Sequence, residues 1–380
     1  MRRVLTINCG STSTKVALFE ESQALAKTAL DVPFKALAAM PKVLDQLNYR
    51  RRQVEEFLAR AGIELASLDM IVARAGAIPH VPQGGAWSVN ELMIATLRYA
   101  PAAQHASSLS CLIGVELAQR AAQAGRAGVP VIIYDPTAVD CVDPVAKVTG
   151  LPEVVNMPVF HLLNPRQVAM RHAAALGRRY EDLNLITAHL GGGISLAFHD
   201  HGRVADWVYD DEGPLSPQRA GAIPTRYLAD LCYQSGRSHH EMRVYLASRS
   251  GLAAYFGTQD AREVEALIEQ GDQRAELVYQ AMALGVAKAI GALATVRAGR
   301  VDGIVLTGGL AHSRRLTRWI RERVEFLAPV AVIPGEFEAE ALAEGGLRVL
   351  DGAEAVKEYT ALPPGYASLE EILARPSFLA

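Results

Sequence analysis

Two stretches of this chain are written to one plan, and that repetition constrains its fold more than any other feature. In the first, an apolar run over residues 3–9 (RVLTINC) ends at Gly10. A turn of small hydroxylic residues (GSTST) follows, and residues 15–20 (KVALFE) alternate back. In the second, residues 182–190 (DLNLITAHL) run into Gly191, Gly192 and Gly193, and ISLAFHDHGRV follows. Each reads as two strands around a small-residue turn whose N–H groups face outward, with a charged tip after the second strand. The two turns lie about 180 residues apart, which predicts a duplicated lobe.

Length agrees, because 380 residues at about 150 per domain make two domains, or three. Half the residues are hydrophobic and 21% are charged, enough for a sizeable core and contrary to disorder. The formal net charge of −3 leaves no basic surplus, and no basic run is large enough to suggest a nucleic-acid footprint. The most apolar long stretch, 276–296, carries Glu276, Gln280 and Lys288, so it reads as a buried helix rather than a membrane span. The apolar stretch at the N-terminus is too short for a secretory signal. Cys9, Cys111, Cys141 and Cys232 are widely spaced with no C-x-x-C. Free thiols in a reducing cytoplasm, and no structural zinc, are expected.

Further strands end in polar or glycine residues, the usual placement of site groups in α/β proteins. Residues 69–73 lead to Arg74, 129–134 to Asp135, and 301–307 to Gly308 and Gly309. Helical patterns cover 90–99, 108–123, 164–178 and 261–297. Residues 206–225 and the tail after Pro363 show the least pattern.

Three glycine-rich turns, GSTSTK (10–15), HLGGG (189–193) and TGGLA (307–311), each follow an apolar strand. Glycine lets backbone amides approach phosphate oxygens, and hydroxyls add donors. None is a Walker A loop, and none is G-x-G-x-x-G opening a helix. His105, His161 and His189 have no zinc-ligand spacing; a core or surface role is the bland reading of each. Arg74 and Arg219 present planar forks suited to carboxylate or phosphate, against the alternative of solvated surface arginines. Asp135 fits either a Mg²⁺-side carboxylate or a turn cap. Glu336, Glu338, Glu340 and Glu344 fit either a site cluster or a solvated helix face.

Taken in order, INCGSTSTK (7–15), QHASSL (104–109), YEDLNLITAHLGGG (180–193), DEGPLSPQRAGAIP (211–224), VDGIVLTGG (301–309) and ALAEGGLRVL (341–350) resemble the acetokinase family. The nearest resemblance is to butyrate and branched-chain fatty acid kinases, and it spans nearly the whole chain. It implies the two-lobed α/β fold shared by acetate kinase, sugar kinases, Hsp70 and actin, with a repeated βββαβαβα core and a nucleotide in the cleft. On that resemblance, residues 1–150 plus 345–380 form the N-terminal lobe and 151–344 the nucleotide-binding lobe.

The implied reaction is reversible phosphoryl transfer between ATP and a short-chain carboxylate, giving an acyl phosphate and ADP with Mg²⁺ on the phosphates. The resemblance assigns Arg74 to the substrate carboxylate, Arg219 to the acyl and phosphoryl groups, and Asp135 to the catalytic aspartate. His161 and His189 would contact the transferring phosphoryl group. Ser11, Ser13, Gly191, Gly192 and Gly193 match the phosphate loops. Asn8 and Glu338 match the metal side, and Asp260, Arg262, Gly308 and Gly309 the adenosine side. Gly76, His105 and Phe160 would line the substrate pocket. A homo-oligomer, a dimer or a multiple of dimers, is the family habit; no nucleic-acid or membrane partner is expected.

Every charged site residue is present, and the departures are local: Ala73-Arg-Ala-Gly76, Arg219-Ala-Gly221, Asp210-Asp-Glu-Gly-Pro214 and Phe337-Glu-Ala-Glu340. Two positions after the substrate arginine, acetate kinases carry valine where this chain has Gly76. That loss predicts room for a longer acyl tail, and butyrate or isobutyrate preferred over acetate. The rival readings are an acetate or propionate kinase of the same fold, and a nucleotide-binding regulatory protein without catalysis.

Overall fold

The computed structural model describes residues 1–157 and 162–377. The chain divides into two compact units, Met1–Asp140 with Phe337–Ala380, and Cys141–Glu336.

The first unit is built on strands β1 (Arg3–Cys9), β2 (Ser13–Glu20), β3 (Gln23–Asp31), β4 (Met70–Ala73), β5 (Ala86–Ser88) and β6 (Val131–Tyr134), in the sheet order β3-β2-β1-β4-β6-β5. The β1–β2 hairpin pairs Asn8 with Lys15 and Cys9 with Thr14, which puts the GSTST turn where the sequence predicts it. β4 and β6 then join in parallel, with Ile7 opposite Ala73 and Ala73 opposite Ile133.

The second unit repeats this plan. Its strands are β7 (Asn184–Leu190), β8 (Ile194–Asp200), β9 (Arg203–Val208), β10 (Gly303–Gly308) and β11 (Val330–Pro334), in the order β11-β10-β7-β8-β9. β7, β8 and β9 form an antiparallel meander, and β10 and β11 add in parallel. Both meanders carry a register shift in the same place, at Leu18/Phe19 and at Phe198/His199. Such bulges bend a strand and increase its twist, so the shared position is a shared shape.

The core of the second unit packs the helix Gln273–Ala294 against the sheet. Tyr279, Met282, Val286 and Ile290 are buried with Ile186, Leu196 and Ile304. Each such aliphatic side chain contributes about 1.5–3 kcal/mol by leaving water. Among the described residues this is the helix long and apolar enough to cross a membrane, and half of its most apolar window is buried inside the protein. The 261–297 pattern divides in two, because Asp272 caps a new helix start by accepting from the N–H groups of Arg274 and Ala275.

The helix Glu338–Leu350 lies on the first sheet, with Gly345 and Gly346 against the strands. A Cβ at Gly345 would sit 2.6 Å from the Tyr134 ring, and one at Gly346 2.7 Å from Val72. The glycine pair therefore sets the helix close to the sheet. Regular elements that went unseen in the sequence include β3, β5, β11 and the helices Leu47–Arg60, Thr225–Gln234, His239–Ser248 and Arg314–Val324. The tail after Pro363 carries a further short helix, Leu369–Ala374, capped by Ser368.

Candidate active site

In the first unit, Asn8, Arg74 and Asp135 stand at or just beyond the carboxyl ends of three neighbouring parallel strands, β1, β4 and β6. This is where α/β sheets place their ligands. The Arg74 N–H donates to Ile7 O at 2.8 Å, continuing the β1–β4 ladder one residue further. The Arg74 side chain is buried, with Nη1 3.4 Å from Asp135 O and Nη2 3.9 Å from Glu338 Oε1.

Asp135 is buried with a positive φ of 42°, a region Asp enters more readily than branched residues. Its Oδ1 accepts the Gly85 N–H at 2.6 Å, and its own N–H donates to Gly85 O at 3.1 Å. Glu338 opens the close-packed helix, where the helix N-terminus favours a carboxylate. Its Oε2 accepts from Asn8 Nδ2 at 2.8 Å. Of the other glutamates, Glu340 pairs with Lys27 and Glu336 belongs to the second unit.

The Ser11–Ser13 turn is held from behind by a residue the sequence reading missed. Arg50 is fully buried; it donates to the carbonyls of Ser11 (3.0 Å) and Ser13 (2.9 Å), to Thr14 Oγ1, and to Gln46 Oε1. The signal was an Arg four residues after a Gln in an otherwise apolar-faced helix pattern, which by itself reads as a solvated pair.

Gly76 does not leave open space. A Cβ there would collide with Ser107 Oγ and lie 3.4 Å from Ser107 Cβ. Ser107 Oγ is bonded to His105 Nδ1 at 2.7 Å. The space that a side chain at position 76 would take is occupied by the Ser107 hydroxyl of this chain. Burial, reinforced by the Arg74 charge, pushes the His105 imidazole below its ordinary pKa.

In the second unit, a groove of about 890 Å³ is lined by Gly191, Gly192, Gln218, Asp260, Arg262, Glu265, Gly309, His312, Ser313 and Glu336, among others. It gathers two of the three glycine turns and three of the four adenosine-side residues expected from the sequence, Asp260, Arg262 and Gly309. Asp260 caps the helix Ala261–Glu269 and binds Arg262 Nη2 at 2.6 Å; the Arg262 guanidinium brings its carboxyl down to about 2. Glu265 was missed; its Oε1 accepts from Tyr279 OH at 2.8 Å and from the Ser313 hydroxyl. Gly308 has φ 90° and no room for a Cβ, which would lie 2.5 Å from Leu190 O.

His189 Nδ1 lies 3.0 Å from Asn164 Nδ2, whose amide donates and so leaves the ring proton on Nε2. Arg219 is partly buried, with Nε donating to Asp210 Oδ2 at 3.1 Å. His161 and Phe160 lie outside the described residues.

Among the described residues no group of three or more His, Cys, Asp or Glu forms a metal cage. The oxygens of Asn8, Asp135 and Glu338 are hard donors. They suit a Mg²⁺ that keeps most of its waters and is carried on substrate phosphates.

A model of the acetokinase family matches residues 131–329. Acetate kinase from Porphyromonas gingivalis superposes with a TM-score of 0.75 at 21% identity, over 92% of this chain and all of that one. Propionate kinase from Francisella tularensis subsp. tularensis gives 0.69 at 20%, over 91% and 99%. Acetate kinase from Entamoeba histolytica gives 0.71 at 16%, over 92% and 100%. The chain belongs to the acetokinase family, and its fold is the two-lobed α/β class with a duplicated core that the sequence led us to expect. It is a phosphotransferase with a carboxyl acceptor.

Proposed function

We propose that this chain transfers the γ-phosphoryl group of ATP reversibly to butyrate or a branched short-chain acid, giving the acyl phosphate and ADP. The observation that carries the reading is Arg74, a buried guanidinium at the end of a parallel strand beside Asp135, Asn8 and Glu338.

The chemistry asks little of a base, because a carboxylic acid is already ionised at neutral pH. The obstacle is electrostatic: at 4 Å two unit charges repel by about 4 kcal/mol at an effective dielectric of 20. Oriented cations and donors offset that, so catalysis is positioning plus charge stabilisation. In this reading Arg74 holds the acid's carboxylate. Arg219 and His189 Nε2–H meet phosphoryl oxygens, while the N–H groups of the Gly191–Gly193 turn receive phosphate. The nucleoside takes the groove of the second unit, against Asp260, Arg262 and Gly309. Asn8 and Glu338 would hold Mg²⁺ through water, and the ion would supply charge neutralisation on the phosphates. Asp135, fixed by Gly85, keeps a carboxylate beside Arg74.

The four-carbon preference rests on the motif resemblance. The rival acceptor, acetate or propionate, is favoured by one observation: Ser107 fills the space beside Gly76. Hydroxamate detection of acyl phosphate over C2–C6 acids with Mg·ATP decides. Higher kcat/KM for butyrate or isobutyrate supports the reading; equal or higher kcat/KM for acetate defeats it. ATP binding with no ADP release for any acid would favour a silent regulatory protein. The same reading makes the protein a cytoplasmic homo-oligomer, which light scattering of the purified chain tests for assembly.

A further inference from the structure

Asp210 is a buried carboxylate that no site assignment above uses. It is 5% exposed and follows β9 by two residues. Its Oδ2 accepts from Arg219 Nε at 3.1 Å, and its Oδ1 is buried with no hydrogen-bond partner among the described residues. A buried oxygen left without a partner is costly, and such a group calls for an explanation.

Its neighbours supply one. The carboxylate packs directly on Gly193: a Cβ at that position would overlap Asp210 Oδ2 and lie 2.9 Å from both its Cβ and Cγ. Space, rather than backbone conformation, therefore demands glycine as the third residue of the turn. On the other side, Asp210 takes the Nε edge of Arg219. Nη1 and Nη2 of Arg219 make no hydrogen bond among the described residues.

A guanidinium held by Nε has one bidentate edge left, Nη1 with Nη2, and turning it away would break the Nε bond. The backbone is fixed as well. Ser216 Oγ donates to Gly192 O at 2.8 Å and accepts from the Arg219 N–H at 3.1 Å, and the Gln218 N–H donates to Gly192 O at 3.0 Å. The glycine turn, the 216–219 loop and Asp210 thus form one hydrogen-bonded block with the arginine fork at its edge.

We propose that Asp210 is the positioning residue of this site, setting the Nη edge of Arg219 toward the oxygens of the reacting groups and tying it to the Gly191–Gly193 turn. The proposal rests on the reading that Arg219 touches those oxygens.

The test compares wild type, Asp210→Asn, Arg219→Ala and the double variant by steady-state kinetics, ADP binding and thermal unfolding, with and without millimolar guanidine hydrochloride. Asp210→Ser is run in parallel, so that misfolding of one variant leaves the other to decide. Asp210→Asn is expected to lose at least tenfold in kcat while KM for ATP changes less than threefold. Free guanidinium is expected to restore Arg219→Ala at least tenfold, because the carboxylate is there to hold it, and to leave the double variant unrestored. A purely structural role would lower the unfolding temperature without producing that difference in rescue. A folded Asp210 variant within threefold of wild-type kcat, or equal rescue of the single and double variants, overturns the proposal. If Arg219→Ala collapses while Asp210→Asn works normally, Asp210 alone is misassigned. Near-normal turnover by Arg219→Ala instead sinks the Arg219 reading together with the proposal.

Discussion

Asn8 and Glu338, 330 residues apart in the chain, share a hydrogen bond of 2.8 Å from Nδ2 to Oε2. One stands on β1 of the first sheet, the other at the start of the helix that Gly345 and Gly346 let down onto that sheet. In the proposed reading, this pair is where a phosphate-borne cation would be held.

Glu338→Gln keeps the size of the side chain and removes its charge. The Mg²⁺ concentration giving half-maximal rate should rise about tenfold, the low end of what supporting groups contribute to metal sites. Titrating Mg²⁺ at saturating ATP checks this, and an unchanged midpoint removes Glu338 from the metal side.

Arg74→Ala and Arg219→Ala should each lower kcat/KM by about 10²-fold or more, as expected for losing a donor aimed at developing charge. ADP binding, measured by calorimetry, should persist in both. Near-normal turnover in either would show that arginine to be misassigned.

Gly345→Ala sets two effects against each other. Alanine favours the helix by about 1 kcal/mol. The new methyl, however, would meet the buried Tyr134 ring at 2.6 Å, and that ring is pinned by its hydroxyl to Glu354 and Arg348. Overpacking of this kind costs about 1–3 kcal/mol. The clash should win, lowering the denaturant midpoint and weakening Mg²⁺ activation through the shifted Glu338; a stabilised variant would contradict the packing.

Acid should destabilise the protein through His199. This fully buried ring is bonded to Tyr180 OH (2.8 Å) and Thr187 Oγ1 (2.9 Å), and burial pushes its pKa down to about 3. The unfolded chain, with an ordinary value near ~6.5, takes up a proton that the folded one refuses. Stability is therefore full above that value and lost as pH falls from it toward 3. The unfolding temperature should drop between pH 7 and 5. His199→Asn should flatten part of that slope, with His105 and His172, which burial shifts the same way, retaining the rest. An identical slope in wild type and variant would rule out His199 as a source.

The duplicated hairpins, the glycine turns and the strand-end residues Arg74, Asp135 and Gly308 were legible along the chain. All of them are local: strand periodicity and turn chemistry depend on residues a few positions apart. The family motifs added the reaction class. Asp210 and Arg50 escaped notice because a buried charge is recognised only by what encloses it. Asp210 lies in an acidic loop, Arg50 among three consecutive arginines, and each reads as solvated. What lies beside Gly76 was hidden for the same reason, since the serine there comes from 31 positions further on. Local pattern told which segments become strands and which turns can take phosphate. Only the packing of distant segments decided where each charge is buried, what partner it finds, and whether a missing side chain leaves a hole or a contact.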